Sequence, residues 1–261
     1  MSMASIASAP PRALGDAMAA GLRSASIVVV SCGVAGAFVG GIGSRVVMRL
    51  SALAAPEARG AVTEAGNVVG EISLSGTAGL MLFAGVASAV FGAGASTVLR
   101  PWLPRGTVTR GLVFGLFLLA LLGGVVIDPA NADFVILGDR ALNVAMFSAL
   151  FIAFGLVASG TQAVLEARID RAPAFSPRAW ALSLLVALPI VPGVAGVAVG
   201  FAWQLGVPLV ASSLAMAVAG RIDRRGRHGA ARGVRLAATA VLAAVVIVAG
   251  AAYVGDVATI L

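Results

Sequence analysis

Residues 141–163 read ALNVAMFSALFIAFGLVASGTQA, and no charged side chain interrupts the chain between Arg140 and Glu166. An α-helix rises about 1.5 Å per residue and the hydrocarbon core of a bilayer is about 30 Å thick, so roughly 20 apolar residues suffice to cross it. This stretch meets that length. Comparable apolar runs lie near 24–44, 77–98, 111–127, 179–202, 207–221 and 235–254. The fold class that follows is all-α: a polytopic transmembrane helical bundle of about seven spans, with six as the alternative count. Residues 1–23, rich in Ala, Ser and Pro, read as a flexible tail, and residues 24–261 as a single transmembrane domain.

Composition leads to the same place. Apolar residues make up 60% of the chain and charged residues 11%, with a mean hydropathy of +1.03. A water-soluble domain needs a far more polar exterior than this chain could supply. The 33 glycines would weaken helices in water. In lipid they allow helix backbones to approach closely.

Several chemistries are excluded by what the chain lacks. It contains Arg but no Lys, so a Schiff base to retinal cannot form. Cys32 is the only cysteine, which rules out an internal disulfide, a CxxC redox pair and a cysteine-based zinc site. His228 is the only histidine, which rules out bis-histidine haem ligation and HExxH zinc chemistry. No cofactor or metal is expected, and no spacing singles out a nucleophile with its base. The chain reads as a non-enzyme.

The arginines orient the bundle. The tail and the loops near 99–110, 164–178 and 221–235 hold fourteen of the eighteen arginines, giving that side a net charge of +10 against −3 on the other. Under the positive-inside rule these segments face the cytoplasm, which places the N-terminus inside and the C-terminus outside. The expected location is a bacterial cytoplasmic (inner) membrane, crossed several times. The basic segments suit anionic lipid headgroups, with the cluster from Arg221 to Arg235 foremost. No aromatic interleaving accompanies the basic residues, so nucleic acid is not expected as a partner.

Within 179–220 the turn between two spans has two candidate places, Pro192-Gly193 and Gln204 to Pro208. The second sets Trp180 and Trp203 about 34 Å apart, one at each interface, and puts Pro208 near the first turn of the next helix. Pro189, Pro192 and Gly193 then form a kink site in the fifth span, where freed backbone carbonyls could meet a solute.

Small residues recur at helical spacing. Gly36/Gly40, Gly111/Gly115 and Gly196/Gly200 are GxxxG pairs, which suit packing within the bundle or a homo-oligomer contact. The runs GVAGAFVG at 33–40 and GVAGVAVG at 193–200 are similar enough to raise an internal repeat.

The charges that stand out are Arg45 and Arg49, four residues apart on one helix face at the outer end of the first span. They face outer segments carrying Glu57, Glu64 and Glu71, then Asp128, Asp133 and Asp139. Two readings are open: an ion-pair network that ties loops to the first span, and a guanidinium pair that receives an anionic ligand. The stretch Asp128-Pro129-Ala130-Asn131-Ala132-Asp133 reads as a turn, and Glu71 to Ser75 as a short extended segment. No carboxylate is expected near mid-membrane, which argues against a proton-driven mechanism. The function classes left are, in order, an accessory or scaffold component of a membrane assembly, a small-solute transporter or channel using the outer Arg pair and the kinked fifth span, and a membrane enzyme acting at the outer face, which only the acidic loops support.

Overall fold

The computed structural model describes residues 11–56, 60, 73–130, 139–169, 183–200, 202–224 and 226–261. Every regular element among them is helical. In chain order these are α1 (Pro11–Ala35), a π-helical segment π1 (Gly36–Gly43) and α2 (Ser44–Ala54); α3 (Leu74–Ala87), a second π segment π2 (Ser88–Gly92) and α4 (Ala93–Leu99); α5 (Thr107–Val126); α6 (Arg140–Ile169); α7 (Ile190–Gly200); α8 (Ala202–Arg224); and α9 (His228–Ile260). Six continuous helices, Met18–Ala54, Leu74–Leu99, Thr107–Val126, Arg140–Ile169, Gln204–Arg224 and His228–Ile260, are long and apolar enough to cross a membrane, and a shorter apolar helix runs over Ser183–Val199. The protein is an all-α helical bundle.

The first helix starts earlier than its apolar run. Pro11 opens α1 at a position where its missing N–H costs nothing, so residues 11–23 extend the first helix. The segment around Ser73 also differs from expectation. Residues 71 and 72 lie outside the described residues; Ser73 is extended and its side chain accepts the Gly76 N–H at 3.1 Å, so it caps α3, and Leu74 and Ser75 are helical. A capping serine satisfies one of the orphan donors that a helix start leaves open.

Pairs of helices meet through glycine. Gly155 of α6 fits between Gly111 and Gly115 of α5 so closely that a methyl group on Gly155 would lie 2.2 Å from the Gly111 carbonyl oxygen. Gly193 of α7 rests in the same way on the Val90 carbonyl and Gly94. The two similar glycine runs share a partner: Gly33 and Gly36 pack on residues 84–89, while Gly193 and Gly196 pack on residues 90–94 of the same continuous helix. The GxxxG pairs Gly36/Gly40 and Gly111/Gly115 therefore lie at intramolecular crossings.

Both π segments sit at such close crossings. Over π1 the wider coil brings Gly36 against the Ala84 carbonyl and Ser88, and Gly41 against Met81. A π segment leaves carbonyls without their usual donors. The Ser44 hydroxyl supplies one, with the Gly40 and Gly41 carbonyls as its two acceptors.

The turn within 179–220 lies at neither of the two places read from sequence. α7 ends at Gly200 and α8 begins at Ala202, so Gln204 to Pro208 is helical and Pro208 is inside α8. The reason is packing: Gly206 lies against the Val197 and Ala198 carbonyls, which holds the two helices together right up to the junction. Helix Ser183–Val199 is itself interrupted by a turn at Leu188-Pro189, closed by Val191 N–H donating to Leu188 O at 3.2 Å.

Gly155 and Gly160 both lie on α6, but nothing lies within 4 Å of a methyl group added at Gly160. Gly155→Ala is therefore expected to destabilise by about 1–3 kcal/mol through overpacking. Gly160→Ala should cost nothing measurable; thermal unfolding of the two variants in one detergent compares them directly.

Candidate functional site

Two groups of polar residues occupy opposite ends of the bundle, and a closely packed apolar layer separates them. Phe114, Leu118, Val197, Leu209 and Leu242 are buried in that layer. The rings of Phe114 and Phe154 meet at a centroid separation of 6.2 Å.

The first group contains Arg45. It is buried, with 8% exposure, and its guanidinium lies over the first turn of α3, where a methyl on Gly76 would come within 2.9 Å of Nη2. Arg49, one turn further along, is exposed. The two arginines thus share a helix face but not an environment. Close to them in the fold are two groups that sequence reasoning missed, Ser51 and Asn143, both fully buried. The Ser51 hydroxyl donates to Asn143 Oδ1, with the Val47 carbonyl as its alternative acceptor at 3.0 Å, which ties α2 to the first turn of α6. A lone Asn near the start of an apolar run is a readable signal, because a buried amide needs partners.

The carboxylates expected to meet Arg45 and Arg49 divide into two sets. Glu57, Glu64, Glu71 and Asp133 lie outside the described residues. Asp128 and Asp139 are described, and both serve the local backbone. Asp128 Oδ1 accepts the Ala130 N–H at 2.8 Å, a local turn at the start of the stretch read as a turn, whose residues 131–133 lie outside the described residues. Asp139 Oδ1 accepts the Leu142 N–H at 3.0 Å and caps α6. Among the described residues neither forms an ion pair. Arg140 reaches the far end of the chain, donating from Nη1 to the Ile260 carbonyl at 3.1 Å, and so pins the start of α6 to the end of α9. Below it the Ser148 and Tyr253 hydroxyls share a hydrogen bond of 2.7 Å.

Alongside this end runs an apolar cavity of about 590 Å³ between π1, π2, α5 and α6, bordered by Ser44, Phe91, Phe147 and Phe154. Pro189, Pro192 and Gly193 do not contribute to it. They lie on the other side of π2, with Gly193 buried against Val90 and Gly94 and Pro192 exposed.

The second group is at the arginine-rich end. The loop after α4 folds back so that Trp102 Nε1 donates to Thr239 Oγ1 at 3.2 Å and Arg110 Nε donates to the Pro104 carbonyl at 3.1 Å. Here a cavity of about 710 Å³ opens among α1, the loop and α6, lined by Ser24, Thr97, Arg100, Arg105, Arg110, Gln162 and Glu166 among others. It shares no lining residue with the apolar cavity. Further out, the turn between α8 and α9 closes on Gly226, whose φ of 77° admits the left-handed conformation that ends α8. Asp223 there holds His228 Nδ1 at 2.5 Å and Arg235 Nη2 at 2.8 Å. The hydrogen bonds from His228 and then Arg235 hold its carboxyl below the ordinary carboxylate range.

Among the described residues no group of three or more His, Cys, Asp or Glu side chains is placed to hold a metal ion. The chemistry these two ends offer is hydrogen bonding and charge.

Two expectations follow. Ser51→Ala and Asn143→Ala should each lower stability by about 0.5–1.5 kcal/mol, because each removes the buried hydrogen bond that ties α2 to α6; the double variant should cost less than the sum, as a double-mutant cycle would read. At the α8–α9 turn the depressed Asp223 carboxyl contributes stability above its unfolded-state range, and that contribution is lost as pH falls through its folded value. Amide protection at residues 222–228, taken relative to the intrinsic exchange rate at each pH, should fall at acid pH in the unaltered protein, and Asp223→Asn should remove that pH step. No protein-family model, curated protein or solved structure matches the chain.

Proposed function

We propose that this protein is a non-catalytic accessory or scaffold component of a membrane assembly, seated in a bacterial inner membrane with its arginine-rich end in the cytoplasm. The observation that supports this reading best is the separation of its charged groups. Among the described residues these lie toward the two ends, while Phe114, Leu118, Phe154, the glycine crossings and the small buried hydroxyls of Ser31, Ser159 and Ser212 fill the space between. A carrier needs a polar or deformable path at mid-depth, and unpaired backbone or a buried ionisable group is the usual sign of one. Along this bundle the small residues are engaged in holding helices to one another. Large apolar side chains on the outer surface, among them Leu82, Phe83, Leu184 and Val199, suit contact with lipid or with the helices of a partner.

A second reading has one specific observation in its favour. Arg45 is buried with its guanidinium over the first turn of α3, and a buried guanidinium suits an anionic solute. The two readings differ in what substitution does. As part of a structural network, Arg45→Gln lowers the amount of folded protein and its unfolding midpoint, while Arg49→Gln, on an exposed side chain, does neither. As part of a solute site, both variants accumulate normally and lose uptake.

Native mass spectrometry of protein released in mild detergent is the direct test. The expected result is a second polypeptide, a different chain or another copy of this one, at fixed stoichiometry. A single chain that carries a non-lipid small molecule would overturn the scaffold reading in favour of transport.

A further inference from the structure

Among the described residues, the cavity at the arginine-rich end carries more positive than negative charge. Arg100, Arg105 and Arg110 converge on its wall, and Glu166 is the one carboxylate among the lining residues. Glu166 does not pair with any of them: its Oε1 accepts from Gln162 Nε2 at 2.9 Å, one turn back on α6. Arg110 uses its Nε on the Pro104 carbonyl, a neutral acceptor. Among the described residues no ion pair involves these three arginines, whereas Asp223 binds both His228 and Arg235. Like charges gathered at a partly enclosed site repel, and an anion that enters relieves the repulsion.

The shape of the cavity narrows the class of anion. Its volume of about 710 Å³ has room for a headgroup-sized molecule, and Val28, Leu103 and Ile190 give it an apolar side next to the arginines. Ser24 and Ser96 add hydroxyl donors. Trp102 is fixed beside it by its bond to Thr239, and an indole with one wet edge favours the membrane–water interface. Guanidinium groups match phosphate oxygens in geometry as well as charge. We propose that this cavity is a binding site for a phosphate-bearing anion at headgroup depth, with Arg100, Arg105 and Arg110 as its ligands. The site does not depend on whether a second polypeptide binds the protein.

This differs from the expectation that the cluster from Arg221 to Arg235 is the main contact for anionic lipid. Thr239 is level with Trp102, and His228 lies eleven residues before it along α9, about 16 Å beyond that level. The α8–α9 turn also carries its own counter-ion in Asp223.

The test uses the full chain in detergent, offered equal amounts of phosphatidylglycerol and phosphatidylcholine, with retained lipid counted by native mass spectrometry. Inorganic phosphate is titrated separately by calorimetry. The unaltered protein should retain phosphatidylglycerol in preference, and the triple variant R100Q/R105Q/R110Q should lose that retention by at least about tenfold. A control variant, R224Q/R232Q, should retain it as before. Glu166→Gln, which removes the carboxylate, should strengthen retention, a gain that misfolding cannot mimic. Phosphate binding that depends on the same three arginines, without preference for phosphatidylglycerol, would support the site and assign it to a soluble phosphate compound. Loss in the control equal to loss in the triple variant, or no arginine-dependent binding of either probe, overturns the proposal.

Discussion

Helices in lipid gain little from hiding apolar side chains from one another, because the acyl chains outside are as apolar as the interior. What they gain comes from close contact, and close contact depends on removing side chains from the line where two helices cross. The α5–α6 pair shows how strictly this applies. Gly155 enters the gap between Gly111 and Gly115, where backbone meets backbone and a methyl group would collide with a carbonyl. The same device recurs where Gly193 meets Val90 and Gly94, and where Gly36 meets Ala84 and Ser88. The bundle is built on these three crossings, and the rest of its geometry answers to them.

The π segments are one such answer. A helix that must hold both Gly36 and Gly41, five residues apart, against the same neighbour, at Ala84 and Ser88 and then at Met81, cannot keep a strict 3.6-residue period through both contacts. The wider coil over Gly36–Gly43 keeps the two glycines on one face, and the Ser44 hydroxyl covers carbonyls left behind. Ser88–Gly92 is the wider coil of the opposing helix, placing Phe91 against Gly196 on one side and leaving space beside Phe147 and Phe154 on the other. The apolar cavity is a by-product of two helices widening at the same depth.

Much of the helical plan was legible from hydropathy and glycine spacing, because lipid imposes length and small residues impose contact. The GxxxG pair Gly111/Gly115 pointed to a crossing, although its partner, Gly155, carries no such motif and could be found only in three dimensions. The junction near residue 201 was not legible. Proline and polar residues at 204–208 are strong turn signals in water, yet here Gly206 must be helical to meet the Val197 and Ala198 carbonyls. At the Arg45 end the sequence drew attention to charge and overlooked the neutral pair Ser51 and Asn143, whose full burial a list of charges cannot reveal. Asp128 and Asp139 were conspicuous as acids, but their work is to cap a turn and a helix, for which an uncharged Asn would serve nearly as well.

The two arginine clusters at the other end carry the same charge and differ in what surrounds it. At the α8–α9 turn, Asp223 takes up a histidine and an arginine in an exposed setting where solvent already weakens each interaction. Around the cavity, Trp102 on Thr239 anchors the loop that carries Arg100 and Arg105, and Arg110 is itself held on the Pro104 carbonyl. Binding loses less when part of the ordering has already been done in folding. Charge density alone would favour the Arg221 to Arg235 cluster; preorganisation, an apolar wall and the shortage of internal counter-ions favour the cavity.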